Sequence, residues 1–580
     1  MLECFDTKAV ARKALSAFLP ILLLGCSSIP LAPQQALAQS ESPAPARNGT
    51  QSDMDSQLMF ELMIAELAGR RGQLDVALEG YLRASEHTND PRVSERATRL
   101  AMFGRQWAQA ESASRRWINL DPDNTEAPQI LGQALLRQDK NDEVAQLFSD
   151  LLKTSDDRRK TLRDIQFELQ RNEDPLTSVS VMQSLVKQYG NESEAHLGLA
   201  RALITNGDND AALESVEAAV RLSPRDTDSL LLRAQILSGT GSPDEAFASL
   251  EAALEANPDD AQLRLGYAQL LAASGRYDDI GALLDRIHND SGSDPDTLLT
   301  IGLLAIESRR IDQAQRFLEQ LLASGEHSDQ ANFYLARIAD DQQNFDTAIS
   351  YYDAVMQSDL QFNARVRAAE LAARTGNLAE GRSRLQRLSE SVSNPVMQPR
   401  LVAAESRMLQ NANQDSEALL VLNEGLVRFP DDEDLLYSRA LTANSVGDDA
   451  RMLLDLNRLI ELDPDNAHAL NALGYHYADE NIELELAEKL LVKANALLPD
   501  DPAIMDSLGW LRFRQGQYEE AIALLRSAYQ QFPDPEIAAH LGEALWLSGA
   551  ESEAKSLIQT ALENHPDDER LLTVQNTVFK

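Results

Sequence analysis

Histidines and carboxylates are the side chains that could ligate a metal or move a proton, and in this sequence of 580 residues their spacing gathers neither into a site. The eight histidines are His87, His196, His288, His327, His468, His476, His540 and His565. No two lie four residues apart, the spacing that sets two imidazoles on one helical face for zinc, so each reads as a helix-surface or groove residue. Carboxylates number 92 against 53 Lys and Arg, too many for any one pair to stand out as a general acid and base. The G-x-x-x-x-G-K-[ST] phosphate loop, the H-E-x-x-H zinc helix and the G-x-S-x-G nucleophile elbow do not occur. Acidic runs such as Asp431-Asp432-Glu433-Asp434 and Asp567-Asp568-Glu569 stand just ahead of helix starts, where negative charge complements the N-terminus. The expectation is a non-enzymatic chain with no cofactor and no metal.

The formal charge of −39 repels nucleic-acid phosphates and anionic headgroups, which excludes nucleic-acid binding and a polybasic membrane contact. Aromatic residues make up 5% and apolar residues 43%, with Ala and Leu prominent, a balance that favours helices over sheets. The elements that must position any site are therefore helices.

One thiol has a chemical setting of its own. Lys8, Arg12 and Lys13 precede an apolar stretch from Ala14 to Gly25. That stretch is shorter than the roughly 20 residues of a spanning helix, as in a secretory signal over 1–25. It ends in Leu23-Leu24-Gly25-Cys26, which resembles the bacterial lipobox, in which the Cys thiol is lipidated and becomes the first mature residue. Cutting after Ala36-Leu37-Ala38 is the alternative and would leave a soluble periplasmic protein. Cys4, the only other cysteine, would leave with the signal. The anchor is then acyl chains rather than charge, and Ser27 in place of Asp points to the periplasmic face of the outer membrane. Residues 26–54, rich in Pro, Ala, Ser and Gln, read as the lipidated Cys and a flexible tether. The sequon Asn48-Gly49-Thr50 reads as a chance match.

Beyond the tether a period appears. Pro224 and Pro258, Pro430 and Pro464, and Pro499 and Pro533 are each 34 residues apart. In the unit from Pro502 to Pro533, Leu508-Gly509, Gly516, Tyr518, Ala521, Ala528 and Pro533 stand at the tetratricopeptide signature spacings. Small residues allow two antiparallel helices and the next repeat to approach closely, and the proline ends the second helix. Ala200, Ala212, Ala219 and Pro224 repeat the offsets, as do Ala234, Ala246, Ala253 and Pro258, and Gly542, Gly549, Ala554, Ala561 and Pro566. The fold expected is an all-α, right-handed superhelical tetratricopeptide solenoid. It would hold about 14–15 helix pairs over 55–566, irregular over 125–192, with a capping segment at 567–580.

In that family partners lie along a groove lined by the first helix of each repeat. The resemblance places Asp434, Tyr437, His468, Asn471, Tyr475, Asp479, Asp506, Trp510, Phe513, Arg514, Glu536, Glu543 and Trp546 there, an aromatic and charged set of the kind enriched in binding hot spots. The competing reading packs some of them, Trp510 above all, under neighbouring helices. The first helix after the tether is a second surface. Leu58, Met59, Phe60, Leu62, Met63, Ile64 and Leu67 wrap more than one amphipathic stripe, as would suit docking of a partner or of a second copy of the chain. Folding back into the solenoid end is the alternative.

The block ELAGRRGQLDVALEGYLRASEHTNDPRVSERATRLAMF and the block DSLGWLRFRQGQYEEAIALLRSAYQQFPDPEIAAHLGEALW resemble a family of Gram-negative tetratricopeptide outer-membrane lipoproteins. Its characterised type is the binding partner of the periplasmic carboxyl-terminal processing protease. The resemblance implies an adaptor that holds and activates that protease and delivers protein substrates such as peptidoglycan hydrolases. A scaffold for outer-membrane or exopolysaccharide export assembly is the alternative.

Overall fold

The structure, a computed structural model, describes residues 56–579 except 172, 173, 293 and 393. The signal segment, Cys26 and the tether to residue 54 lie outside the described residues. Among those described there is no strand, and α-helices of mostly 11–15 residues follow one another in pairs from Ser56 to Asn564. No described helix is long and apolar enough to cross a membrane. The fold is an all-helical tetratricopeptide solenoid, and the chain divides into two compact units, one ending at Ala314 and one beginning at Gln315.

Two local devices build each pair. The first helix ends on a residue in the left-handed region: Gly207, Gly241 and Gly275 do so in the first unit and Gly376, Gly447, Gly516 and Gly549 in the second. The next N–H then returns to a carbonyl five residues back, as in Gln517 N to Arg512 O at 2.9 Å and Ser242 N to Leu237 O at 2.8 Å, which satisfies a carbonyl the helix end would otherwise orphan. Arg105, Asp139, Arg309, Gln343, Asn413 and Asn481 take the same conformation, with φ between 54° and 60°. The turn thus recurs where no glycine marks it.

The second device starts the next pair. Asp226, Asp260, Asp432, Asp501, Asp534 and Asp568 each accept a hydrogen bond from a backbone N–H in the following first turn. The acidic residues at the repeat boundaries are N-caps, a more specific role than a general attraction to the helix end.

Close packing accounts for the small residues. A Cβ on Gly509 would stand 2.8 Å from Leu525 Cγ, and one on Gly542 2.8 Å from Ile558 Cδ1. Ala521, Ala528, Ala487 and Ala494 are fully buried between helices. In the first unit, residues 126–189 pack differently. Larger side chains, Leu135, Phe148, Leu152, Leu162, Leu169, Met182 and Leu185, fill one core there. Of the helices before it, Pro175–Tyr189 packs more on Asn141–Thr154 than on its immediate neighbour Arg158–Gln170. Tyr189 Oη donates to Ser149 O at 2.9 Å across that contact.

In the second unit the last pair is covered by a short helix, Glu569–Thr573, and a single wider turn to Val578. Leu571 and Val574 are buried on Ala538, Ala539, Ile558 and Ala561, and the Phe579 ring lies 4.6 Å from that of Trp546.

Candidate protein-interaction site

In the first unit, Ser56–Arg70 turns its small side inward. Ala65 and Ala68 are buried, and Gly80 of the Leu74–Glu86 helix approaches so closely that a Cβ there would stand 2.9 Å from Ala65 Cβ. The buried Glu61 carboxylate accepts from Arg83 Nε at 3.1 Å, and Tyr81 Oη donates to Glu66. The large apolar side chains face the other way. Phe60 is 61% and Met63 58% exposed, Met59 and Leu67 are about as exposed, and Leu58 and Leu62 are half-buried. Met59, Leu62, Met63 and Leu67, with Glu66 and Arg70 at the edge, line a shallow hollow whose exposed surface is apolar. No described residue covers that hollow, while Ala65 on the opposite side of the helix packs into the core with Leu78, Tyr81 and Ala97.

In the second unit, Ala467–Asp479, Pro502–Arg514 and Pro535–Leu547 are the first helices of three successive pairs. Trp510 is 5% exposed; its ring stacks on His540 at 4.1 Å and on Phe513 at 4.7 Å, and the Arg514 guanidinium lies 4.7 Å from its centroid. Trp510 Nε1 donates to Asp479 Oδ1 at 3.1 Å, while Arg514 Nη2 donates to the Asp479 backbone carbonyl at 2.7 Å. Beneath the stack Asp506, 1% exposed, accepts from His540 Nδ1 at 3.0 Å. Because a carboxylate only accepts, Nδ1 carries the proton. Burial by itself pushes the His540 pKa down, but the Asp506 charge and hydrogen bond, with Glu536 and Asp479 beyond, more than offset this and the pKa is raised.

Tyr475 reaches from the first of these helices to the third, donating from Oη to Glu536 Oε1 at 2.8 Å, and Arg570 of the covering helix donates to the other Glu536 oxygen at 2.8 Å. Burial, then the Glu536 charge, pushes the Tyr475 phenol far up. Tyr437 and His468, half-buried, form a looser pair with ring centroids 6.5 Å apart. Burial pushes the Tyr437 phenol up to about 12. Asn471 and Trp546 are also half-buried; Trp546 has Phe579 against one side and Lys555 Nζ 4.7 Å from its ring.

The structure therefore brings Tyr475, Asp506, Trp510, Phe513 and Arg514 together, but as an interior assembly. Asp506, Trp510 and Phe513, expected to line an open groove, are buried: His540 of the next repeat pairs with Asp506 and stacks on Trp510, and Phe513 is packed between Trp510 and Tyr518 of its own repeat. His540 is likewise buried rather than a surface or groove histidine. Its sequence signal is its separation from Asp506, 34 residues: one repeat length sets two side chains on matching faces of neighbouring first helices. Among the described residues no group of three potential ligands is placed to hold a metal ion.

Comparison with known proteins agrees with this architecture. Tetratricopeptide repeat models match residues 237–296 and 512–576, and 168–227 and 299–361. The TPR repeat-containing protein PA4667 of Pseudomonas aeruginosa is 34% identical over 523 residues, covering 89% of this chain and 87% of that protein. Among solved structures, the chain is similar to one of Naa15/Naa10 bound to HypK-THB, with a TM-score of 0.34, 14% identity and coverage of 88% of this chain and 92% of that one. It is also similar to yeast Tom70, with a TM-score of 0.30, 14% identity and coverage of 71% and 98%. No enzymatic family is indicated. Stacked repeats of this kind form a protein–protein interaction scaffold, and the chain belongs to the family of tetratricopeptide repeat-containing proteins that includes PA4667.

Proposed function

We propose that this scaffold is a lipid-anchored adaptor, held through Cys26 at the periplasmic face of the outer membrane. It binds and activates a periplasmic carboxyl-terminal processing protease and presents that protease with protein substrates such as peptidoglycan hydrolases. The observation that supports the reading most is the apolar face of Ser56–Arg70, since exposed apolar surface on a highly charged chain marks a protein contact. The two sequence blocks that resemble the adaptor family lie at this end and at the closing repeats. Anchoring an adaptor that holds enzyme and client together raises their effective concentration without tighter contacts, and the charge of −39 favours basic clients.

The test is a pull-down from solubilised envelopes, with the lipidated chain, a form truncated before Gln73 and a Cys26→Ala form as baits. Recovery of a carboxyl-terminal processing protease by the full chain, lost on truncation, is the expected result. The Cys26→Ala form should leave the membrane fraction. Recovery of polysaccharide-export or outer-membrane assembly components without any protease would overturn the adaptor reading in favour of an export scaffold.

A further inference from the structure

The described residues contain sulfur only as methionine, because both cysteines, Cys4 and Cys26, lie outside them. An oxidant therefore meets thioethers there and no thiol. Their exposure is uneven. Met182, Met408, Met452 and Met505 are buried and Met102 and Met397 half-buried, whereas Met59, Met63 and Met356 are 46%, 58% and 57% exposed. Met59 and Met63 stand four residues apart on Ser56–Arg70, the spacing that sets two side chains on one helical face, and both line the apolar hollow with Leu62 and Leu67. Arg365 Nη2 donates to Met356 Sδ at 3.4 Å, whereas no described residue donates to the sulfur of Met59 or Met63.

A methionine sulfoxide is polar where the thioether was apolar. The other large side chains of this face are Phe60, Leu62 and Leu67, so two sulfoxides among them remove the continuous apolar surface that suits a protein contact. The packed side of the helix, Glu61, Ala65 and Ala68, carries no thioether. Oxidation thus alters the open face and leaves the fold intact.

We propose that Met59 and Met63 are a paired modification site that takes one oxygen atom each from a peroxide, which turns this face from apolar to polar and closes it to a protein partner. The sulfur lone pair attacks one peroxide oxygen, the O–O bond breaks as the S–O bond forms, and after proton transfer water leaves. Sulfur is oxidised by two electrons and the peroxide is reduced. A methionine sulfoxide reductase returns the thioether at the expense of a dithiol. The inference deepens the adaptor reading and rests on its assignment of this face as the docking surface.

The full chain is treated with a limiting dose of hydrogen peroxide, and each methionine-containing peptide is followed by mass spectrometry. Met59 and Met63 should gain one oxygen well before Met182, Met408 and Met452. Nile red, an uncharged dye, reads the apolar face without interference from the acidic surface. Its fluorescence on the full chain should be mostly lost after peroxide and return after methionine sulfoxide reductases A and B with dithiothreitol. A Met59→Leu, Met63→Leu chain keeps the apolar surface without the thioethers, and its dye signal should survive peroxide. A Met356→Leu chain should respond as the parent does, and oxidation should leave the melting temperature unchanged. Oxidation of the buried methionines at the same rate, a parent dye signal that is absent or indifferent to peroxide, loss of the signal in the Leu pair, or a lowered melting temperature would each overturn the site. Protease recovery from solubilised envelopes is measured on the same samples. Oxidised parent should recover little protease and the oxidised Leu pair as much as the untreated chain; equal recovery by oxidised and untreated parent would overturn the switch. Absence of protease from every sample, with the peptide and dye results as expected, would overturn the adaptor reading and leave the modification site standing.

Discussion

Ser56–Arg70 and the closing repeats solve opposite problems with the same kind of helix pair. The first helix hides alanines and shows Met59, Phe60, Met63 and Leu67, whereas the last three first-helices hide Trp510, Phe513 and even the Asp506–His540 pair. The last pair is closed by Leu571 and Val574 of a covering segment; no described residue closes the first. A solenoid needs a polar outer face at its ends to remain soluble. An end that departs from this rule is one whose apolar side is kept for something else, while an end that obeys it is built for stability. The difference separates a surface available for docking from an assembly whose aromatic and charged residues resemble a binding site in composition but serve mainly to lock successive repeats together.

The comparison is broken most readily at Trp510. Trp510→Ala removes a ring stacked on two neighbours and the donor to Asp479, and should cost about 3–5 kcal/mol in denaturant unfolding of the second unit. A loss typical of an exposed residue would mean that the ring is a groove contact after all.

A moderate effect is expected from pH. The His540 pKa is raised above its ordinary value of 6.5. The stability it contributes is therefore complete below that value and disappears as pH rises through the higher folded-state pKa. The melting-temperature gap between the parent and His540→Gln should accordingly be widest in mildly acidic buffer and narrow toward alkaline pH. Parallel curves in scanning calorimetry would show that Asp506 does not hold an imidazolium.

The smallest change is expected at the other end. Phe60→Ser with Met63→Ser should leave unfolding within about 0.5 kcal/mol of the parent, whereas Ala65→Leu on the opposite side of the same helix should cost about 1–3 kcal/mol, because Gly80 leaves no room. Denaturation of the two variants side by side measures how one-sided this helix is. If the Ser pair proved as damaging as Ala65→Leu, the exposed face would be part of the fold.

Much of this was legible in residue spacing. Gly509, Ala521 and Ala528 announce close helix contacts because their lack of bulk is needed wherever the pairing recurs. The left-handed turns were legible only in part. Gly516 and Gly549 mark them, but Arg105, Gln343 and Asn481 adopt the same conformation without a glycine, since the closing hydrogen bond and the packing of both helices offset the strain. Tyr437, Tyr475, Trp510, Phe513 and Trp546 lie on the first helices of their pairs, but the burial of Trp510 and Phe513 is not legible in their spacing. Burial of Trp510 depends on His540, 30 positions on, stacking over its ring, and on Asp479, 31 positions back, accepting from its indole N–H.

The sequence alone determined the repeat unit and its helices, because helix period, caps and small contact residues act between neighbours along the chain or one fixed period away. Only the tertiary structure decided which polar groups are satisfied. Pairing is a matter of tenths of an ångström and of which donor is already committed. It gives His540 to Asp506, Arg514 to Asp479 and Arg570 to Glu536, and leaves Arg514 Nε and Asn471 Oδ1 buried without a hydrogen-bond partner among the described residues.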